Sequence, residues 1–200
     1  MPTSITVAVV YHSGFGHTAR QAEAVVRGAA SLAGVKTLLV NVDTFAGEWE
    51  ALEQSDAIIF GAPTYMGSAS APFKAFLDAT SPAVFAAGFK WKDKVAAGFT
   101  NSASRSGDKL STLLQFAVFA GQMGMHWVNL GLPPGNNVST GTEQDLNRLG
   151  FFMGAAAQSN YDQGPELTPP ESDMLTAEYL GRRVAEVTQQ LVRGRSLEMA

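Results

Sequence analysis

Apolar residues along this chain come in two textures, and each predicts a different element. Near-continuous runs read as strands buried on both faces, whereas apolar positions recurring every three or four residues read as helices with one buried side. Ile5-Thr-Val-Ala-Val-Val-Tyr11 is a strand, after which Ala22, Val25, Val26, Ala29 and Ala30 recur at helical spacing up to a stop near Gly34. Lys36 to Val42 is a second strand, followed by a short helix around Glu48–Glu53 carrying Trp49 and Leu52. Asp56-Ala-Ile-Ile-Phe-Gly-Ala62 is a third strand, and Ser70 to Asp78 a helix with Phe73, Phe76 and Leu77 on one side. Lys94-Val-Ala-Ala-Gly-Phe-Thr100 is a fourth strand, and Leu110, Leu113, Leu114, Ala117 and Val118 predict a helix that turns this stripe to the sheet. Met125-His-Trp-Val-Asn-Leu130 is a fifth strand. Leu132 to Gly164 is rich in Gly, Pro and Asn and longer than a plain connection needs. Thr168-Pro-Pro-Glu171 has capping-box spacing and opens a last helix whose stripe is Leu180, Val184, Val187 and Leu191.

Five strands alternating with five helices predict an α/β fold, a doubly wound five-stranded parallel sheet with helices on both faces, with residues 1–200 as one domain. In such sheets ligands lie outside the carboxyl ends of the strands, where the strand order reverses. Chemistry is therefore expected in the loops after strands one, three, four and five.

Composition narrows the classes. The 200 residues are 46% hydrophobic with a formal net charge of −4, which suits a single cored domain and gives no reason to expect nucleic acid. The mild charge is also unlike a small, strongly acidic electron shuttle. With no Cys, disulfides, thiolate catalysis and Cys-ligated metals are excluded. His12, His17 and His126 lack metal-ligand spacing, so no metal is expected. The first apolar run is too short to span a membrane and has no basic leader, so the chain reads as cytoplasmic, with no membrane partner.

The first loop, His12-Ser-Gly-Phe-Gly-His-Thr18, empties a strand into a helix and is a ready anion site. Ser13 and Thr18 offer hydroxyls, Gly14 and Gly16 allow close backbone approach, and the absence of Lys or Arg argues against a Walker-type loop. Gly14-Phe-Gly16-His-Thr-Ala19 also fits the dinucleotide pattern, with Asp43 downstream but later than that fingerprint expects. The later loops decide between these readings: in the third-strand loop Pro63, Thr64, Tyr65, Met66 and Gly67 bring a hydroxyl, a ring and a thioether to the crevice. The fourth-strand loop, Asn101, Ser102, Ala103, Ser104, Arg105, Ser106 and Gly107, is dense in small donors, with Ser106 or Asp108 as helix cap. A phosphate socket beside a flat hydrogen-bonding slot fits FMN better than ATP or NAD. Phe15, lying between two loop glycines, is expected at the crevice mouth, with Phe85, Phe151 and Phe152 as further candidates for it. His17 is expected to cap the phosphate loop or touch substrate.

Taken in order, these segments resemble the flavodoxin-like NAD(P)H:quinone oxidoreductases of the WrbA type, a family also tied to NADPH-dependent FMN reductases. Ser13-Gly-Phe-Gly-His-Thr18 stands where that family binds the FMN phosphate, and Asp56-Ala-Ile-Ile-Phe-Gly-Ala-Pro-Thr64 is close to its third strand and loop. Phe76-Leu-Asp78 matches the next helix, and Asn101-Ser-Ala-Ser-Arg-Ser-Gly107 occupies the isoalloxazine loop. Gly150-Phe-Phe-Met-Gly-Ala155 and the Thr168-Pro-Pro-Glu171 helix entry look like its C-terminal third. The chain also departs from the family. Tyr65 and Met66 replace an Arg and an aromatic, and Arg105 enters a loop otherwise richer in Gly. Met123 takes the place of a flavin-contacting His, Phe85 that of a Trp, and the segment before Asp56 is short.

The resemblance implies hydride transfer from NADPH or NADH through bound FMN to a quinone, with no catalytic side chain because flavin N5 carries the chemistry. It also implies a homodimer or homotetramer in which a neighbouring chain completes the pocket. The apolar connector Ala83-Val-Phe-Ala-Ala-Gly-Phe89 fits such pairing. Rival readings are a flavodoxin-like electron carrier, a Rossmann dehydrogenase and a flavin reductase that releases reduced FMN.

Overall fold

The computed structural model describes residues 3–47 and 49–198. Its centre is a parallel sheet of β1 (Ile5–Tyr11), β2 (Val35–Asn41), β3 (Ala57–Tyr65) and β5 (Val95–Ser102), with β1 lying between β2 and β3, and β5 beyond β3. The order reverses at β1, so a crevice opens between the carboxyl ends of β1 and β3. Side chains alternate across the sheet as the strand period requires. Val7 and Val9 pack with Ala22 and Val25 of α1 (His17–Ala30) and with Leu180 of α5 (Glu171–Glu198). Ala8 and Val10 face the other layer, formed by Leu52 of α2 (Trp49–Glu53), Phe73 and Phe76 of α3 (Ala71–Thr80) and Phe116 of α4 (Lys109–Gln122). Glu48, where the short helix was expected to begin, lies outside the described residues. Among the described residues no helix is long and apolar enough to cross a membrane.

Four features differ from the sequence expectations. The fifth strand is split. Only β6 (His126–Trp127) pairs with the start of β5, and β7 (Ala155–Gln158) returns after residues 128–154 to pair with its end. The insertion is stitched in place, since Trp127 Nε1 donates to the Met153 carbonyl at 3.1 Å and the Leu130 N–H to that of Phe152 at 3.0 Å. The third-strand loop is a hairpin. Tyr65 and Ser68 of β4 (Ser68–Ala69) pair across a two-residue turn, and Met66 and Gly67 both have positive φ, the signature of a type I′ turn.

The buried stripe of α4 is rotated from the one expected. Leu113, Phe116, Phe119 and Ala120 are buried, while Leu110, Leu114 and Val118 face outward at 46%, 44% and 71% exposure. At the start of α5 no capping box forms. The Thr168 hydroxyl accepts the Asn160 N–H at 3.3 Å, and the first-turn amides of Asp173 and Met174 reach the Pro170 carbonyl.

Candidate active site

A cavity of about 370 Å³ lies at the carboxyl ends of β1, β3 and β5. At one end are Ser13, Phe15, His17 and Thr18. Gly16 precedes α1 with φ 86° and gives the first turn of that helix no side-chain cap, so its leading amides are the unpaired donors of a helix start. The backbone is closely fitted there. A Cβ on Gly14 would lie 2.7 Å from Tyr65 Oη, and one on Gly16 2.8 Å from a ring carbon of Pro165. Ser13 Oγ is buried without a hydrogen-bond partner among the described residues, and Thr18 is 2% exposed yet lines the cavity. A buried orphan hydroxyl costs free energy unless a ligand or water satisfies it. Beside an uncapped helix N-terminus it makes an anion socket, and an FMN phosphate fits that donor set.

The other end is lined by Pro63 and Tyr65 from β3 and by Asn101, Ser102 and Ala103 from β5 and its loop. Tyr65 is presented by the hairpin and meets Phe15 edge-to-face, with ring centroids 6.4 Å apart. Partial burial raises the pKa of its phenol above the ordinary value, which keeps it a neutral donor. Ser159 and Tyr161 complete the lining, and neither was expected from the sequence. They follow β7, whose pairing with β5 brings Ser159 Oγ within 2.8 Å of Asn101 Nδ2. The loop that carries them is tied to α1, because His17 Nε2 bonds the Gln163 carbonyl at 2.8 Å and Arg20 donates to that of Pro165 at 2.7 Å. His17 therefore fastens a wall of the crevice.

Several expected residues stand elsewhere. The Thr64 hydroxyl faces inward, bonded at 2.8 Å to the hydroxyls of Thr100 and Thr112 in the buried layer. Met66 is fully exposed at the hairpin tip, beside Gly67. Ser104, Arg105, Ser106 and Gly107 lie beyond the lining. The Ser104 and Arg105 carbonyls accept from Lys109 Nζ, Arg105 pairs with Glu143, and Gly107 forms the turn at φ 53°. Of the two expected caps, Asp108 holds the N-cap position of α4, in a left-handed conformation and without a side-chain cap bond. Phe85 and Met123 line a separate groove between α3 and α4, with Met123 buried. Phe151 and Phe152 belong to the insertion and are not part of the crevice lining, although Phe152 is exposed.

His12 is buried just before the phosphate socket, with Nδ1 2.8 Å from Ser70 Oγ and Nε2 3.5 Å from Asp43 Oδ2. These are the residue types of a hydrolytic triad, but Ser70 is 1% exposed at the start of α3 and no substrate reaches it. The chain Ser70–His12–Asp43 ties the end of β1 to its neighbours. Asp43 is thereby accounted for without a ribose.

A family model described as NADPH-dependent FMN reductase matches residues 43–133. The chain is 43% identical over 187 residues to flavodoxin FldP of Pseudomonas aeruginosa, covering 92% of this chain and 96% of that one. It is 33% identical to an NAD(P)H dehydrogenase (quinone) of Aromatoleum aromaticum, covering 95% and 99%. A solved flavodoxin, WrbA-like protein from Agrobacterium tumefaciens is 42% identical with a TM-score of 0.72, covering 94% of this chain and 99% of that one. The strand order reversing at β1, the anion socket at α1 and these full-length similarities lead to one conclusion. The chain belongs to the WrbA-type, flavodoxin-like family of FMN-dependent oxidoreductases.

Proposed function

We propose that the protein is an NAD(P)H:quinone oxidoreductase that works with FMN held in the β1–β3–β5 crevice. The observation that carries this reading is the pairing of an orphaned buried hydroxyl, Ser13 Oγ, with the uncapped start of α1 at one end of a cavity of about 370 Å³. Ser13 and Thr18 hold the phosphate by hydrogen bonds, aided by the helix dipole. Asn101, Ser102 and Ser159 supply polar contacts at the ring end, while Tyr65 and Phe15 shape an apolar mouth for flat substrates. Bound FMN supplies the two-electron redox chemistry, and the side chains bind, orient and exclude water. A nicotinamide donor and a quinone acceptor are both flat rings, which suits their use of one aromatic-edged opening in turn.

A second reading has a specific observation behind it, the 43% identity to flavodoxin FldP. A pure electron carrier would bind the same cofactor but show no steady-state turnover with small acceptors. One experiment addresses both readings. FMN and riboflavin are titrated into apo-protein, followed by NADPH- and NADH-driven quinone reduction by the loaded form. We expect quenching of FMN at micromolar concentration and catalytic turnover. In Thr18→Val, FMN binding should weaken by about ten- to a hundredfold with riboflavin little changed, the scale of one hydrogen bond to a charged group. No quenching would remove the flavin reading, and quenching without turnover would favour the carrier.

A further inference from the structure

Behind the ring end of the crevice lies a group of buried charges that the functional reading leaves unused. Lys109, the first residue of α4, is fully buried, and its Nζ donates to the Ser104 carbonyl and, at 3.1 Å, to that of Arg105. Arg148 of the insertion has a 4% exposed side chain and grips Asp173 of α5 through two bonds of 2.8 Å. Asp173 also accepts the backbone N–H of Gln158 at 2.8 Å, and Gln158 Nε2 donates to the Ala103 carbonyl at 3.2 Å. Glu143 links the two halves by accepting from Arg148 at 2.6 Å and from Arg105. The network's hydrogen bonds thus end on the backbone at 103–105 and at Gln158, within the two segments that border the ring end.

Buried ion networks add little net stability over well-packed apolar residues of similar volume. Stability alone therefore does not account for placing these charges here, whereas their end points do. A crevice loop made of small polar residues has almost no packing of its own to define its shape. Donors anchored in α4 and α5 supply that definition.

We propose that Lys109 and Asp173 are positioning residues for the ring end of the crevice, holding the 101–105 loop and the β7 exit in the conformation that receives the flavin ring. The inference rests on the flavin reading above and deepens it. Its consequence is a ring-side defect, opposite in kind to a phosphate-side defect such as Thr18→Val.

The test titrates FMN and riboflavin into apo forms of the wild type, Lys109→Met, Lys109→Arg and Asp173→Asn, and records the visible circular dichroism of the bound flavin. Lys109→Met and Asp173→Asn should weaken both flavins by the same factor, about tenfold, and alter the flavin dichroism. Lys109→Arg, which keeps charged donors at that position, should recover most of the affinity. If Lys109→Met does not fold, the near-isosteric Asp173→Asn carries the comparison alone. Unchanged affinity and dichroism with only a lower melting temperature would overturn the proposal, as would a loss confined to FMN. If the wild type binds neither flavin, the functional reading fails with it; if the wild type binds both and the variants match it, only this inference fails.

Discussion

Burial pulls the pKa of the Lys109 ammonium down to about 8 from its ordinary 10.5, with the Asp173 carboxylate opposing the shift and the Arg148 guanidinium adding to it. Below pH 8 the group is charged in both folded and unfolded chains, and its burial costs of the order of 3 kcal/mol. Between about pH 8 and 10.5 the unfolded chain holds a proton that the folded one has released, so this contribution to stability rises with pH. The neutral amine still has two N–H groups for the Ser104 and Arg105 carbonyls, so the loop anchor survives the loss of charge. Denaturant unfolding of wild type and Lys109→Met at pH 7 and pH 10 should therefore show the difference moving in the wild type's favour by about 2 kcal/mol. A difference independent of pH would mean that Lys109 does not titrate in this window. The positions of residues around the crevice, as distinct from their roles, were unevenly legible in the sequence. Ser13 and Thr18 could be placed because a strand–Gly loop–helix unit orients its own hydroxyls locally. Thr64 could not, because whether its hydroxyl turns to the crevice or to Thr100 and Thr112 depends on partners 36 and 48 residues away. Ser159 and Tyr161 were invisible because their place depends on where β7 pairs.

Helices α1 and α5 meet at a pair of glycines, Gly28 and Gly181, each set against the backbone of the other helix. A Cβ on Gly28 would overlap the Glu178 carbonyl oxygen, and one on Gly181 that of Val25. Glycine normally costs a helix interior about 1 kcal/mol relative to Ala, but here the close approach outweighs propensity. Neither backbone can yield without opening the helix pair that covers one face of the sheet. Gly181→Ala should thus destabilise by about 3 kcal/mol or more. Gly194→Ala in the same helix meets nothing within 4 Å and should stabilise by roughly 0.5–1 kcal/mol. Thermal melts of the two variants check this directly, and similar melting temperatures would show that the helix pair admits a Cβ at this contact without cost. Most elements were legible because their apolar runs carry their own period. The fifth strand was not. The run Met125–Leu130 stays in register for only two residues before the chain leaves the sheet, and Ala-Ala-Ala-Gln has no strand propensity to announce its return. The outward stripe of α4 misled for a related reason. Leu110, Leu114 and Val118 have core-like spacing, but Thr112, Leu113 and Phe116 occupy the face that the sheet covers.

That outward stripe changes the outlook for the whole molecule. Leu110, Leu114 and Val118 are exposed along one side of α4, and Val118 shares a groove of about 450 Å³ with Phe85 and Met123. Phe85 follows α3 in the π-helical turn Ser81–Phe85, is 48% exposed, and stacks edge-to-face on Phe89 with centroids 5.2 Å apart. Along the connector, Val84 turns into the core while Phe85, Ala86, Ala87 and Gly88 stay exposed, so this stretch does not fold wholly back over its own domain. Scattered exposed apolar residues are ordinary on a soluble chain, but here helix and connector set exposed apolar side chains on one groove, among Lys74, Asp78, Gln115 and Gln122, a grouping of the kind that pairs. Dimerisation through α4 would bury it. We therefore expect sedimentation at micromolar concentration to show a species of at least twice the 21.2 kDa chain. Val118→Glu places a charge at the most exposed point of the stripe, where a monomer tolerates it and a dry interface does not. It should shift the population to monomer while leaving the melting temperature of the monomeric fold within a few degrees, as surface substitutions do. A wild type that sediments only as a single 21.2 kDa chain would show that α4 is not a pairing face. A Val118→Glu variant that keeps the wild type's larger mass would place the pairing face elsewhere on the molecule.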